Sequence, residues 1–230
     1  MALLELRDVH RDFGGVRAVD GVSMTLDAGA LHALVGPNGC GKSTLFNLVT
    51  GAIAPTSGSI SLRGIEIGGQ PPHRIARLGV ACKFQVASVF DELTVEQNLS
   101  VAAHSSADAD RELARTGLAR LRHSVAGMLS HGQRQWLELA MVLARRPALL
   151  LLDEPTAGMT AAETAATVDL IRTVAADGKL AVWVIEHDVG FLEKLSCPVT
   201  VMARGRIVRT GTMAEIRSDP HVQKIYFGAE

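Results

Sequence analysis

Apolar residues in the first third of the chain alternate or cluster with the spacing of β-strands. Two N-terminal strands are predicted: the second alternates over residues 22–26, and the FGG sequence at 13–15 forms the turn between them. The continuous apolar run ALHALV at 30–35 is typical of a strand that is buried on both faces. Two further strands are predicted at SISLRG (59–64) and VACKF (80–84).

The pattern changes to helical spacing between about residue 92 and residue 145. Thr94 and Gln97 stand three residues apart, as in a capping box at the start of a helix. The stretch RELARTGLARLRHSV at 111–125 is weakly amphipathic with a helical period. We therefore expect this segment to be all-helical.

Strands and helices alternate again after this segment, from ALLLLD at 148–153 through LAVWVI at 180–185. Such alternation predicts a largely parallel sheet that is covered by helices. We expect a single α/β domain whose core is formed by residues 1–91 and 146–230, with an N-terminal antiparallel β subdomain. The small helical insertion then occupies about 92–145.

The composition narrows the classes of partner. The net charge is −1 and 20% of the 230 residues are charged, so there is no basic excess and nucleic acid is not an expected partner. The longest apolar runs have the length of strands, well short of the roughly 20 residues of a membrane-spanning helix. Cys40, Cys82 and Cys197 form no CxxC pair and are expected to be free thiols in a reducing compartment.

A glycine-rich loop between a predicted strand and a predicted helix carries the first chemical signal. The sequence GPNGCGKST fits the pattern G-x-x-x-x-G-K-[ST]. Its backbone N–H groups and the helix N-terminus can hold phosphate oxygens, while Lys42 reaches the β- and γ-phosphates and the Ser43 hydroxyl ligates Mg²⁺. A glycine-rich turn with a solvated lysine is the alternative, and Cys40 is interpreted as a tolerated small residue. The predicted phosphate-binding residues are Gly36, Pro37, Asn38, Gly39, Cys40, Gly41, Lys42, Ser43 and Thr44.

Polar residues follow three predicted strands at the same edge of the sheet. LLLLDEP delivers Asp153, which is expected to hold magnesium, and Glu154, which can orient water and accept its proton. VWVIEHD delivers His187, which can hydrogen-bond a γ-phosphate. Gln85 ends the strand VACKF and can reach magnesium or water. The alternatives are an acidic pair at a helix start, a structural histidine cap and an exposed glutamine.

The sequence LSHGQ at 129–133, taken alone, indicates a surface helix capped by Ser130. Together with the other motifs, and in the same order, it resembles the signature of the ATP-binding subunits of ABC transporters, which have a P-loop NTPase core. The resemblance implies that Ser130, Gly132 and Gln133 contact the γ-phosphate of ATP bound to a second subunit. Glycine at 132 then permits the close approach.

The same resemblance assigns further roles. Phe13 would stack on adenine, Gln85 would link magnesium to the helical insertion, and His187 would be the switch histidine. It also implies ATP and Mg²⁺ as cofactors and an ATP-dependent dimer with an identical or related ABC subunit. The other partners would be transmembrane permease subunits and, indirectly, a substrate-binding protein, which places the chain peripherally on the cytoplasmic face of the inner membrane.

Two positions depart from the family pattern. His131 replaces the second glycine of the signature, and TAGMT at 156–160 lacks the usual aspartate. Several stretches are similar to the ATP-binding subunits of urea importers, close kin of the branched-chain amino acid importers, although the chain between Gln85 and the signature is short for that subgroup. These stretches are CKFQ, LSHGQRQWLELAMVLA, EPTAGMTAAE, VIEHD and the terminal YFG.

We therefore expect an ATPase that energises an importer for urea or a related amide. An importer of branched-chain amino acids is the alternative within the family. A soluble ABC protein acting on DNA or ribosomes is the alternative from another class, but such proteins carry paired cassettes or long coiled coils. A nucleotide-sensing module without catalysis is disfavoured by the presence of Glu154 and His187.

Overall fold

Two β-sheets and their covering helices make up the computed structural model, which describes residues 2–83 and 89–226. The strands are β1 (Ala2–Phe13), β2 (Val16–Asp27), β3 (Leu31–Val35), β4 (Ser57–Leu62), β5 (Ile65–Glu66), β6 (Val80–Lys83), β7 (Leu149–Asp153), β8 (Ala181–Ile185), β9 (Val199–Ala203) and β10 (Arg206–Gly211). The helices are α1 (Lys42–Thr50), α2 (Pro72–Arg77), α3 (Val95–Ala102), α4 (Ser106–Arg115), α5 (His131–Leu143), α6 (Ala161–Ala176), α7 (Val189–Leu195), α8 (Met213–Ser218) and α9 (Pro220–Tyr226).

The N-terminal sheet is antiparallel, with strand order β2-β1-β4-β5. The predicted hairpin is confirmed: β1 and β2 pair from Ala2–Asp27 to Phe13–Val16 across the FGG turn. Alternate residues such as Leu4, Leu6 and Leu26 are buried, which is the pattern expected when one face of a sheet packs on a core.

The second sheet has the order β10-β9-β3-β8-β7-β6. The five strands β9, β3, β8, β7 and β6 are parallel to one another, and β10 pairs antiparallel with β9 at the edge. The predicted parallel sheet is therefore confirmed. Because parallel strands end at one edge, the residues that follow Val35, Asp153 and Ile185 come out on the same side of the molecule.

Helices α3, α4 and α5 enclose a hydrophobic cluster of their own, separate from the two clusters that flank the sheets. The capping box of Thr94 and Gln97 opens α3 as predicted. The amphipathic stretch 111–125 is not one helix, however. The helix α4 ends at Arg115, and Gly117 adopts a left-handed φ of 71°, which a helix cannot continue through.

None of the helices in the described ranges has both the length and the apolar character needed to span a bilayer.

Candidate nucleotide-binding site

The loop of residues 36–44 connects β3 to α1, as the sequence predicts, so all nine predicted phosphate-binding residues lie at the carboxyl edge of the parallel sheet. Close packing explains two of its glycines. A Cβ on Gly36 would lie 2.1 Å from the carbonyl oxygen of Met202, and one on Gly41 would lie 2.1 Å from that of Ala18. The loop therefore keeps its curl only because these positions lack side chains.

The ammonium group of Lys42 lies back over its own loop. It donates hydrogen bonds to the carbonyl oxygens of Gly36 at 2.6 Å and Pro37 at 3.0 Å. A phosphate bound in the loop can accept these N–H donors of Lys42 in place of the two carbonyl oxygens. Cys40 is buried, and burial raises the pKa of its thiol, which keeps the sulfur protonated and unreactive as expected of a packing residue.

Asp153 is the last residue of β7 and comes within hydrogen-bond reach of Ser43. Burial raises the pKa of the Asp153 carboxyl, the hydrogen bond from Ser43 lowers it, and the neighbouring charge of Glu154 raises it again. The charge of Lys42 lowers the pKa of Asp153 as well, but burial and the neighbouring carboxylates outweigh it. The carboxylate oxygen of Asp153 and the hydroxyl oxygen of Ser43 are ligands of the kind that Mg²⁺ prefers. In the described part of the chain, no group of three or more His, Cys, Asp or Glu side chains could hold a metal.

Glu154 and His187, predicted from separate motifs, lie side by side. The backbone N–H of Glu154 donates to the carbonyl oxygen of Ile185 at 3.0 Å, which ties the end of β7 to the end of β8. Glu154 has a left-handed φ of 46°, a conformation that a residue with a side chain adopts at some cost. His187 Nδ1 lies 3.6 Å from Glu154 Oε1. The two side chains thus form a pair at the sheet edge.

Glu186 is a site residue that the sequence did not reveal. Its side chain is buried, and Oε2 accepts the backbone N–H of His187 at 3.0 Å while Oε1 accepts the Thr156 hydroxyl at 2.5 Å. It therefore positions both the histidine and the loop after β7. The only signal was an acidic residue placed between a buried strand and a histidine.

The N-terminus of α5 is capped reciprocally. The Ser130 hydroxyl accepts the backbone N–H of Gln133 at 3.2 Å, and Gln133 Oε1 accepts that of Ser130 at 3.0 Å. Next to this cap, the Nε2–H of His131 donates to the carbonyl oxygen of Ala157 at 3.1 Å. Across the described ranges, no hydrogen bond or ion pair joins the tip of α5 to the loop 36–44. The signature and the phosphate loop of one chain are thus separate features.

Phe13 ends β1 with its ring 43% exposed, and the guanidinium carbon of Arg11 lies 4.4 Å from the ring centroid. Arg11 therefore covers one face of the ring, and the exposed remainder of the Phe13 side chain can stack on a base. Gln85 lies outside the described residues.

Comparison with known proteins identifies the family. The family model described as ABC transporter matches residues 19–157, which include the phosphate loop, the α5 tip and the Asp153–Glu154 pair. The branched-chain amino acid transport ATP-binding protein BraF of Pseudomonas aeruginosa is 35% identical over 98% of both chains. The lipopolysaccharide export ATP-binding protein LptB of Escherichia coli is 32% identical over 100% of this chain and 99% of its own.

Solved structures agree. The ADP conformation of an ATP-binding cassette of an ABC transporter superimposes with a TM-score of 0.90 at 27% identity, over 100% of both chains. A nucleotide-free cassette gives the same score at 26% identity, again over 100% of both. The expected P-loop NTPase core is therefore confirmed. The chain belongs to the ABC transporter family, as an ATPase that couples ATP hydrolysis to transport.

Proposed function

We propose that this chain is the ATP-hydrolysing subunit of an importer for branched-chain amino acids. The proposal is supported by relatives named for that transport, BraF of Pseudomonas aeruginosa and LivG of Escherichia coli, at 35% and 34% identity over 98% of this chain. These relatives favour the branched-chain alternative over the urea importer that the sequence motifs suggested first. Cargo choice belongs to the permease and the substrate-binding protein, since the proposed sites of this chain contact only nucleotide and partner subunits.

In the nucleotide site, the loop of residues 36–44 wraps the phosphates and Lys42 exchanges its two carbonyl contacts for phosphate oxygens. Ser43 and Asp153 hold Mg²⁺, with Gln85 as a further ligand. The metal supplies neutralisation of the charge that develops on the phosphates. Phe13 stacks on adenine.

For hydrolysis, Glu154 orients the attacking water and accepts its proton. The strained backbone at Glu154 and its bond to Ile185 hold the carboxylate in place. His187, 3.6 Å from Glu154, donates to the γ-phosphate, and buried Glu186 keeps its backbone in position. Glu154, Glu186 and His187 all lie at the carboxyl edge of the parallel sheet, so the base and the γ-phosphate contact are next to each other.

The tip of α5 serves a second subunit. The observation that carries this proposal is that Ser130 and Gly132 face an anionic oxygen, that of Glu163, rather than their own phosphate loop. A helix N-terminus with two such donors is an anion-binding site, and the γ-phosphate of a neighbour's ATP is the anion that the family resemblance implies. Gln133 completes the cap that holds these donors in position. The working unit is therefore a dimer closed by two ATP molecules.

The segment of about 92–145 forms the helical subdomain that docks on the permease. The hydrophobic cluster that its helices enclose supports this assignment as a separate subdomain. Residues 1–91 and 146–230 form the nucleotide-binding core. The chain associates with the membrane peripherally, through the permease, and it meets the substrate-binding protein only indirectly.

The test of the shared site uses Glu154→Gln, which removes the base without changing the size of the side chain. With saturating ATP and Mg²⁺ this variant should elute as a dimer in size-exclusion chromatography, whereas Lys42→Ala/Glu154→Gln should stay monomeric. A Glu154→Gln protein that remains monomeric would contradict the proposal. For the cargo, proteoliposomes holding the chain and its permease should take up labelled leucine and not labelled urea, and the reverse result would restore the urea assignment.

A further inference from the structure

One carboxylate in this structure caps two helices. Glu163 Oε2 accepts the backbone N–H of Thr160 at 3.0 Å and its hydroxyl at 2.9 Å, which completes the capping box of α6. Glu163 Oε1 accepts the hydroxyl of Ser130 at 3.4 Å, and this carboxylate lies directly against the backbone of Gly132, whose N–H helps to lower its pKa. The second set of donors belongs to the α5 tip.

The position of this carboxylate is that of a bound anion. A Cβ on Gly132 would lie 2.3 Å from Glu163 Oε1, so the carboxyl group occupies the space directly against the glycine. The hydrogen bonds of Thr160 first, and then those of Ser130 and Gly132, hold the pKa of Glu163 below its usual range. The group is therefore anionic at neutral pH, and it uses the same donors that a phosphate oxygen would need.

We propose that Glu163 competes with the γ-phosphate of ATP for the shared site, because its carboxylate occupies the α5 tip until a γ-phosphate displaces it. The inference rests on the proposed function, in which Ser130 and Gly132 bind the γ-phosphate of a second subunit's ATP. Two anions cannot share these donors, so closure of the dimer requires Glu163 to turn away. ADP ends one phosphate earlier and cannot replace the carboxylate, so the tip stays blocked.

A purely structural role for Glu163 predicts the opposite effect of its removal on ATP-dependent dimerisation. If Glu163 only held the two helix ends in place, its removal would loosen the tip of α5 and weaken ATP-dependent dimerisation. If Glu163 competes with phosphate, its removal strengthens dimerisation. The sign of the effect therefore decides between the two roles.

The chain offers a matched control in Glu215. It completes the same Thr-x-x-Glu capping box on α8, where Oε2 accepts the backbone N–H of Thr212 at 2.7 Å and its hydroxyl at 3.0 Å. Within the described ranges, Glu215 hydrogen-bonds no second helix N-terminus. Glu215→Gln thus removes an equivalent cap charge without touching α5.

The experiment compares Glu163→Gln and Glu215→Gln in the Glu154→Gln background, by sedimentation velocity across a series of ATP or ADP concentrations. Glu163→Gln should lower the ATP concentration for half-maximal dimer by about threefold to tenfold, since loss of one competing hydrogen-bonded contact shifts a population by about that factor. With ADP, Glu163→Gln should stay monomeric like the parent, because ADP has no γ-phosphate to reach the α5 tip. Glu215→Gln should give the same ATP and ADP dimerisation curves as the parent.

An unchanged or raised midpoint for Glu163→Gln would overturn the inference while leaving the shared site intact. A parent that stays monomeric at saturating ATP would instead refute the shared site, and the inference with it. Thermal melts check that the variants fold, and Glu163→Ala is the second variant, with the same expected direction, if Glu163→Gln is unstable.

Discussion

The buried ion pair of Lys83 and Glu138 provides the sharpest stability test of this structure. Lys83 ends β6 and Glu138 lies in the middle of α5, with Nζ 3.6 Å from Oε2 and both side chains only 6% exposed. Lys83 also donates to Gln135, one turn earlier on the same helix. The pair thus fastens the signature helix to the strand that precedes Gln85.

The expected magnitudes follow from burial. Burial lowers the pKa of Lys83 more than the attraction of Glu138 raises it, so the cost of desolvating the ammonium exceeds what its partner returns. Lys83→Met leaves a buried carboxylate without its cation, which costs about 3–5 kcal/mol. For a chain of this size that corresponds to a drop in Tm of roughly 6–20 °C. Lys83→Met/Glu138→Met removes both charges and should cost less than either single change.

Urea denaturation of the two single variants, the double variant and the parent gives the coupling free energy directly. The control is Arg217→Met, which breaks the exposed pair of Arg217 with Glu193 and should cost no more than about 1 kcal/mol. The reasoning fails if the losses of the two single variants simply add in the double variant, or if Lys83→Met is as mild as the control.

Three further predictions concern the phosphate loop, the adenine platform and the helical region. Lys42→Ala should lose most ATP affinity in calorimetry, since it removes a charged donor to phosphate, and unchanged binding would remove the phosphate-loop assignment. Phe13→Ala should weaken ATP binding by about 1 kcal/mol through loss of stacking, with GTP affected equally; no change would exclude Phe13 from the base site. The hydrogen bond from Ser105 and the guanidinium of Arg146 lower the pKa of Asp108 to about 2, so its stabilising contribution is complete above about pH 4 and is lost as the pH falls toward 2. Acid unfolding monitored by circular dichroism should therefore be less steep in this range for Asp108→Asn than for the parent.

The parts of the site that sequence could predict are those fixed by neighbours along the chain. The phosphate loop, Asp153 and His187 each lie at or just after the end of a buried strand, and parallel strands necessarily deliver such residues to one edge of the sheet. The contact between Glu154 and His187 follows from the same rule, because β7 and β8 are adjacent.

The parts that sequence missed depend on tertiary contacts. Glu186 gains its role from Thr156, thirty residues away, and Glu163 from Ser130, thirty-three residues away, so neither spacing was visible in the sequence. The T-x-x-E spacing of Thr160 and Glu163 is typical of a capping box on α6, but the second cap that Glu163 makes on α5 depends on how two helices meet. The break at Gly117 was missed because a weak helical period continues on both sides of it. The role of Phe13 rests on resemblance alone, since an exposed aromatic residue in a turn has many uses.

The two positions at which the sequence departs from the family pattern contact each other. His131, in place of a glycine, donates to the carbonyl oxygen of Ala157 in the loop that lacks the usual aspartate. A Cβ on Gly158, which has a left-handed φ of 75°, would lie 3.2 Å from His131 Nε2, so the loop turns closely around the ring. The segment 156–163 is thus linked twice to the α5 tip of its own chain, through His131 and through the Ser130–Glu163 contact. A phosphate that displaces Glu163 breaks the Ser130–Glu163 contact but leaves the hydrogen bond from His131 to Ala157. The segment 156–163 therefore stays attached to the α5 tip while the phosphate replaces the carboxylate there.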